Sequence, residues 1–264
     1  MIPLSDPGVQ RHTQPYVTIV IIAINAVVFL YELTLGEFGQ TKFYYEWGLI
    51  PTKLIHGLSE FGPYCDGQIF RNTYGNLICQ GTVVSLEASN AAWLTVVTAM
   101  FIHGGIMHFA GNMLYLWVFG DNIEDRLGHV KYLAFYLTCG VVATLTQVAI
   151  NTDSHSPTIG ASGAIAGVLG AYLLLFPYNR INTLVVMYFI TILRIPAMFL
   201  LGFWFFAQNF FQGLGSLGST GGGVAYWAHI GGFVTGILTV ALYLKVTGQP
   251  VWPNARRIPW RWTR

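Results

Sequence analysis

Gly160-Ala161-Ser162-Gly163-Ala164-Ile165-Ala166-Gly167-Val168-Leu169-Gly170 carries no charge and places small residues at positions 162, 166 and 170. A four-residue spacing puts them on one face of an α-helix, a smooth stripe on which a second backbone can approach closely. Ala228-His229-Ile230-Gly231-Gly232-Phe233-Val234-Thr235-Gly236 repeats the spacing with Ala228, Gly232 and Gly236. Packing stripe against stripe would bring the Ser162 hydroxyl within the ~3 Å at which the His229 imidazole can take its proton. Whether such helices form depends on the solvent they face.

Composition places them in lipid. Of 264 residues, 54% are hydrophobic and 9% are Asp, Glu, Lys or Arg, against roughly 25% charged in an average soluble domain. Thirty glycines fit helices packed closely in a bilayer. Thirteen Lys and Arg against eleven Asp and Glu leave a net charge of +2, too small for the basic face that nucleic-acid binding requires. Three cysteines make no disulfide framework, and no Cys/His spacing of the zinc type occurs, so neither a metal nor another cofactor is implied.

Apolar runs divide the chain into six expected spans with an all-α architecture. The first covers 16–35, 20 residues and enough for a ~30 Å hydrocarbon core, and it retains Asn25 and Glu32. Residues 36–92, broken by Pro51, Gly62, Pro63 and several glycines, read as one long loop. The second span should begin near Ile106, after Gly104 and Gly105, with the part before it bending away. A charged turn at 121–131 leads to the third span at 132–150, and a polar loop at 151–159 to the fourth at 160–176. Residues 184–195 read as an interfacial segment with Arg194 snorkelling, 197–211 as the fifth span, 212–223 as a flexible loop and 224–244 as the sixth. The expected division is an N-terminal segment 1–15, a membrane domain 16–245 and a basic tail 246–264, where Trp252, Trp260 and Trp262 among arginines look like an interfacial anchor.

With six spans, Arg11, Arg126, Lys131, Arg180, Arg194 and the tail arginines share one side, cytoplasmic by the positive-inside rule together with both termini. Cys65 and Cys79 then face the other side, either bridged or as two thiols. No Arg-rich, acid-poor presequence precedes the first span, so the sequence favours a prokaryotic plasma membrane over a mitochondrial precursor.

Polar groups inside a bilayer are costly and mark function. His108 and Asn112 are i and i+4, one turn apart on one face. Ser162 opens the fourth span and His229 lies one to two turns into the sixth, all at a similar depth. Asn112, His108 and the Ser162 N–H at a helix start are the donor types that stabilise an oxyanion. No intramembrane acid is available to orient His229, so a Ser-His dyad is expected. His103 reads either as lining a water cavity or as a histidine hydrogen-bonded at a helix end. Trp204 and Gln208, i and i+4 on the fifth span, either pack or offer a face to substrate.

These residues resemble the rhomboid family of intramembrane serine proteases. The family pattern of His-xxx-Asn, Gly-x-Ser-Gly and Ala-His-xx-Gly-xxx-Gly is met by His108 to Asn112, by Gly160 to Gly163 and by Ala228 to Gly236. The Glu-x-Arg-x-Gly motif fits Glu124, Arg126 and Gly128. The resemblance implies that Ser162 attacks a peptide carbonyl in a transmembrane substrate, that His229 takes and returns the proton, and that His108, Asn112 and the Ser162 N–H hold the oxyanion. It implies single-span or polytopic membrane proteins in a lipid bilayer as substrates. The loop 213–223 with the fifth span should form a gate, and prolines introduced there should slow cleavage of membrane-embedded substrates; an unchanged rate would reject the gate. A catalytically silent rhomboid-like binder of transmembrane segments is the alternative, which the presence of both Ser162 and His229 disfavours. A small transporter is disfavoured by the lack of a charged residue at mid-membrane.

Overall fold

The computed structural model describes the chain except residues 10, 66–67, 72–76, 187–189, 218–222 and 252–264. The expected tail anchor and the centre of the 212–223 loop therefore fall outside the described residues.

The helices are α1 (Tyr16–Thr34), α2 (Glu37–Trp47), α3 (Pro51–His56), α4 (Ala92–Thr98), α5 (Ile106–Leu127), α6 (His129–Ile150), α7 (Ser162–Leu175), α8 (Ala197–Phe205), α9 (Phe211–Gly215) and α10 (Tyr226–Val246). The strands are β1 (Ile2–Ser5), β2 (Glu60–Cys65), β3 (Gln68–Arg71), β4 (Leu77–Gln80), β5 (Val83–Glu87), β6 (Arg180–Val186) and β7 (Ile190–Pro196). The architecture is mostly helical, and the all-α expectation is corrected by three small antiparallel sheets, β1-β6-β7, β2-β5 and β3-β4.

By length and apolarity α1, α6 and α10 can each cross a bilayer. A fourth candidate is the pair formed by residues 92–101 and α5, bent by 81° at residues 102–105, where Gly105 has φ 152°. This break sits where the sequence placed it. The 14-residue α7 is apolar but shorter.

In α1 the buried residues are Thr18, Ile21, Asn25, Phe29 and Glu32, on a helical period. Ile19, Val20, Val27 and Leu30 point outward. The polar Thr18, Asn25 and Glu32 thus face protein while the outward side chains are apolar, because an unpaired polar group in hydrocarbon would cost several kcal/mol.

Local expectations fail in four places. Residues 36–92 are not a plain loop: the described part holds α2, α3 and two antiparallel strand pairs, β2-β5 and β3-β4. β2 and β4 are tied by a Cys65–Cys79 disulfide with Cα atoms 5.7 Å apart. Residues 121–131 are not a turn: α5 continues to Leu127 and the chain breaks at Gly128 alone, φ 78°, a left-handed conformation that glycine adopts without a steric penalty. Glu124, fully buried, explains why the charged stretch stays helical. Its carboxylate accepts the N–H groups of Val17 and Thr18 and the Thr18 hydroxyl, and it contacts His129 Nδ1 at 2.6 Å. It thereby serves the unpaired N–H groups at the start of α1. Residues 184–186 and 190–195 lie in the antiparallel strand pair β6-β7, with Ile181, Thr183 and Val185 inward and Ile190, Ile192 and Arg194 exposed. The first part of 212–223 is helical, in α9.

β1 adds the third strand to that pair, with Ile2 opposite Leu184. Asp6 follows and accepts hydrogen bonds from Tyr172 and Asn122. Burial pushes its carboxyl above the usual carboxylate range.

The centre of the bundle is α7, whose residues 163–172 are all buried. It packs most extensively on α10, where the expected Gly232 and Gly236 meet Gly163 and Gly167 of α7, one residue along from the expected Ser162 and Ala166, while Gly170 approaches Phe233. A Cβ built on Gly232 would lie 2.0 Å from the Gly163 carbonyl oxygen, and one on Gly236 1.9 Å from that of Gly167. Only hydrogen at these positions permits so close an approach.

Candidate active site

Ser162 is the first residue of α7, and the loop before it is anchored from two sides. The Gly160 N–H donates to the Ala99 carbonyl at 2.8 Å, and Leu49 and Thr158 exchange backbone hydrogen bonds. Gly160 has φ 121°, which a side chain would oppose, and a Cβ there would come within 2.7 Å of His108 Nε2. The stripe contact sets α10 beside α7, so that His229 Nε2 lies 2.7 Å from Ser162 Oγ.

His108 and Asn112 enter from α5, on the same face as expected. The Gly104 N–H donates to His108 Nδ1 at 3.3 Å. In a neutral ring Nε2 therefore carries the hydrogen and acts as a donor toward the side of Gly160 and Ser162. Asn112 is 8% exposed, and its Nδ2 is buried with no acceptor among the described residues. An unsatisfied buried amide donor is costly, and this one borders the cavity that holds Ser162.

All four residues line one cavity of about 790 Å³. Its lining runs from the polar loop residues Asn151, Ser154 and Thr158 inward to Ser162 and His229, with Met107 and Trp204 among its walls. A polar lining that reaches the hydroxyl offers water a path to an otherwise apolar bundle.

Two sequence-predicted residues are placed elsewhere. His103 is 0% exposed, does not line this cavity, and packs edge-on against Phe29, His108 and Phe109. Its backbone N–H, not its ring, donates to Glu32 at 3.2 Å, a contact that holds the break between α4 and α5 against α1. Gln208 is exposed and absent from the cavity wall. Trp204 stands 5.8 Å from the His229 ring, centroid to centroid, as a wall of the site. Among the motif residues, Arg126 hydrogen-bonds Gln249 at the far end of the bundle.

One residue escaped the sequence reading. Asn209, 2% exposed, places its Oδ1 2.6 Å from His229 Nδ1. It reaches the site because residues 206–210 form a π-helical turn between α8 and α9. An i, i+4 count selects Gln208 as the partner of Trp204; the extra residue of a π-turn moves Asn209 onto that face instead.

The Rhomboid domain profile matches residues 90–246, more than half of the chain, a span that includes His108, Asn112, Ser162, Asn209 and His229. The chain belongs to the rhomboid family. Within it, the chain is 29% identical over 187 residues to the bovine (Bos taurus) presenilin-associated rhomboid-like protein, mitochondrial, covering 66% of this chain and 45% of that one. Rhomboid protein 1, mitochondrial, of Saccharomyces cerevisiae is 28% identical over 151 residues, 55% of this chain and 40% of its own. Rhomboid protease GluP of Bacillus subtilis is 34% identical over 104 residues, 39% of this chain and 20% of its own. The chain thus spans less than half the length of these curated relatives. As a rhomboid with helices long and apolar enough to cross a bilayer, it is an integral membrane protein.

Proposed function

We propose that this rhomboid is an intramembrane serine endopeptidase that hydrolyses peptide bonds in or near transmembrane segments of single-span or polytopic membrane proteins. The observation that carries the reading is the 2.7 Å contact between Ser162 Oγ and His229 Nε2 inside a cavity lined by His108 and the unpartnered Asn112 amide. His229 Nε2 takes the hydroxyl proton as Ser162 Oγ bonds to the peptide carbonyl carbon. The oxygen, now negative, receives hydrogen bonds from Asn112 Nδ2, His108 Nε2 and the Ser162 N–H, which has no intrahelical acceptor at the start of α7. His229 then gives its proton to the leaving amine as the C–N bond breaks. Water from the cavity then gives a proton to His229 as its oxygen bonds to the acyl carbon, and His229 returns that proton to Ser162 Oγ as the ester C–O bond breaks, which restores the serine hydroxyl and releases a carboxylic acid that ionises in water.

The same reading has six crossings. They are α1, the bent pair of residues 92–101 with α5, α6, α7, the composite α8 to α9, and α10, with residues 1–15 and 246–264 outside the membrane domain 16–245. The side carrying Arg11, Arg126, Lys131, Arg180 and Arg194 is cytoplasmic, and the Cys65–Cys79 bridge supports an oxidising space opposite it. The membrane we propose is a prokaryotic plasma membrane. The mitochondrial names of two relatives make mitochondrial against plasma-membrane fractionation of the tagged protein the direct check of that part.

The test is cleavage of a tagged single-span substrate in liposomes, with a fluorophosphonate probe for the activated serine. Wild-type protein should cleave and be labelled. Asn112→Ala should lower kcat by about 10²-fold, the usual loss for one oxyanion donor, with KM little changed. Neither cleavage nor labelling across several substrates, with transmembrane peptides still bound, would replace this reading with that of a silent binder.

A further inference from the structure

We propose that Asn209 is a positioning residue that holds His229 as the tautomer able to act as general base, an inference that rests on the peptidase reading above. Both ends of the Asn209 amide are committed. Its Nδ2 donates to the Trp204 carbonyl at 2.7 Å, which fixes the orientation of the amide and turns Oδ1 toward His229 Nδ1, 2.6 Å away. A carbonyl oxygen only accepts, so the hydrogen of the neutral imidazole sits on Nδ1. Nε2 is left with its lone pair, and Nε2 is the atom 2.7 Å from Ser162 Oγ. The opposite tautomer would place a hydrogen between the two and bar proton transfer. When His229 becomes an imidazolium, Oδ1 still accepts from Nδ1 and the amide dipole stabilises the charge. A neutral acceptor does this without burying a carboxylate in the bundle.

The local backbone makes the contact available. Asn209 is five residues beyond Trp204, at the distance a π-turn brings onto one face, and the Trp204 ring lies against the imidazole that Asn209 holds. The site therefore draws on a third element. Ser162 belongs to α7 and His229 to α10, while the group that fixes the proton belongs to the π-turn between α8 and α9.

The experiment compares the full chain with Asn209→Leu, which has a similar size and no acceptor, and with Asn209→Asp, which keeps one. Cleavage of the single-span substrate is read alongside ¹⁵N-histidine NMR of His229 and the melting temperature of each variant. Asn209→Leu should lose about 10²-fold or more in kcat, as wrong-tautomer variants do, with KM within about twofold of wild type. Asn209→Asp should stay within about tenfold of wild type. The spectra should show hydrogen on Nδ1 in the wild type and a tautomer mixture in Asn209→Leu. Wild-type kcat in Asn209→Leu, equal losses in both variants, or an unchanged tautomer in Asn209→Leu would each overturn the proposal. Because the NMR measurement needs no substrate, it tests Asn209 even if the wild type cleaves nothing, an outcome that would count against the peptidase reading instead.

Discussion

With alanine at position 162, cleavage of the single-span substrate falls by on the order of 10⁶-fold and fluorophosphonate labelling disappears, the loss expected when the nucleophile of a serine-histidine pair is removed. The magnitude follows from geometry. Ser162 Oγ is the hydroxyl 2.7 Å from His229 Nε2, and the other oxygen on the imidazole, Asn209 Oδ1 at Nδ1, belongs to an amide and has no proton to give up as a nucleophile. The fold should not suffer: Ser162 begins α7 without a side-chain capping bond, and the helix behind it is held by packing on α10. A melting temperature within about 2 °C of wild type therefore accompanies the loss, since a change of ~1 kcal/mol in a chain this size shifts it by only a few degrees. His229→Ala should fall as far, and the double variant no further, because the two residues act as one unit. Cleavage surviving in Ser162→Ala would place the nucleophile elsewhere.

Gly236→Ala, two turns below His229, should damage both stability and activity with a single methyl group. Its Cβ would lie 1.9 Å from the Gly167 carbonyl oxygen and 2.7 Å from the Gly167 Cα, both of them backbone. Neither can rotate away, so α7 and α10 must part by about 1 Å, and an overpacked core of this kind costs about 1–3 kcal/mol. The same displacement stretches the Ser162–His229 contact beyond hydrogen-bonding reach, and a misplacement of ~1 Å costs on the order of 10²-fold in rate. Thermal unfolding and kcat measured together should both drop. Gly202→Ala is the matched control. Its added Cβ meets nothing within 4 Å, so both quantities should hold. An unaffected Gly236→Ala would show that the stripe contact is not what sets the distance between serine and histidine.

The α10 side of the packing was readable because glycine and alanine at four-residue intervals encode backbone approach directly, whereas on α7 the contact runs through Gly163 and Gly167, the neighbours of the expected Ser162 and Ala166. His108 and Asn112 were readable for the same reason, as an i, i+4 pair on one helix. What was missed depends on departures from the regular helix or on distant partners. Asn209 required a π-turn that no residue type announces. The helical path through Glu124 required knowing that the N–H groups of Val17 and Thr18 would satisfy its carboxylate. The β6-β7 pair looked like an apolar interfacial segment because its alternation is masked. Ile190 and Ile192 are apolar on the outward face just as Ile181 and Val185 are on the inward one, and composition alone does not separate the two.

The pairing of β1 with β6 carries a constraint of parity. Two strands that share backbone hydrogen bonds cannot stand on opposite sides of a bilayer, so the chain makes an even number of crossings between Ser5 and Arg180. The bond from the His12 N–H to Asp125 imposes evenness between those residues, and that of Arg126 with Gln249 imposes it over the remainder. The Leu49–Thr158 bridge does the same for the two loops at the cavity end. The six crossings proposed above satisfy every one of these conditions, whereas any odd number between His12 and Gln249 would leave at least one hydrogen bond stretched across the membrane.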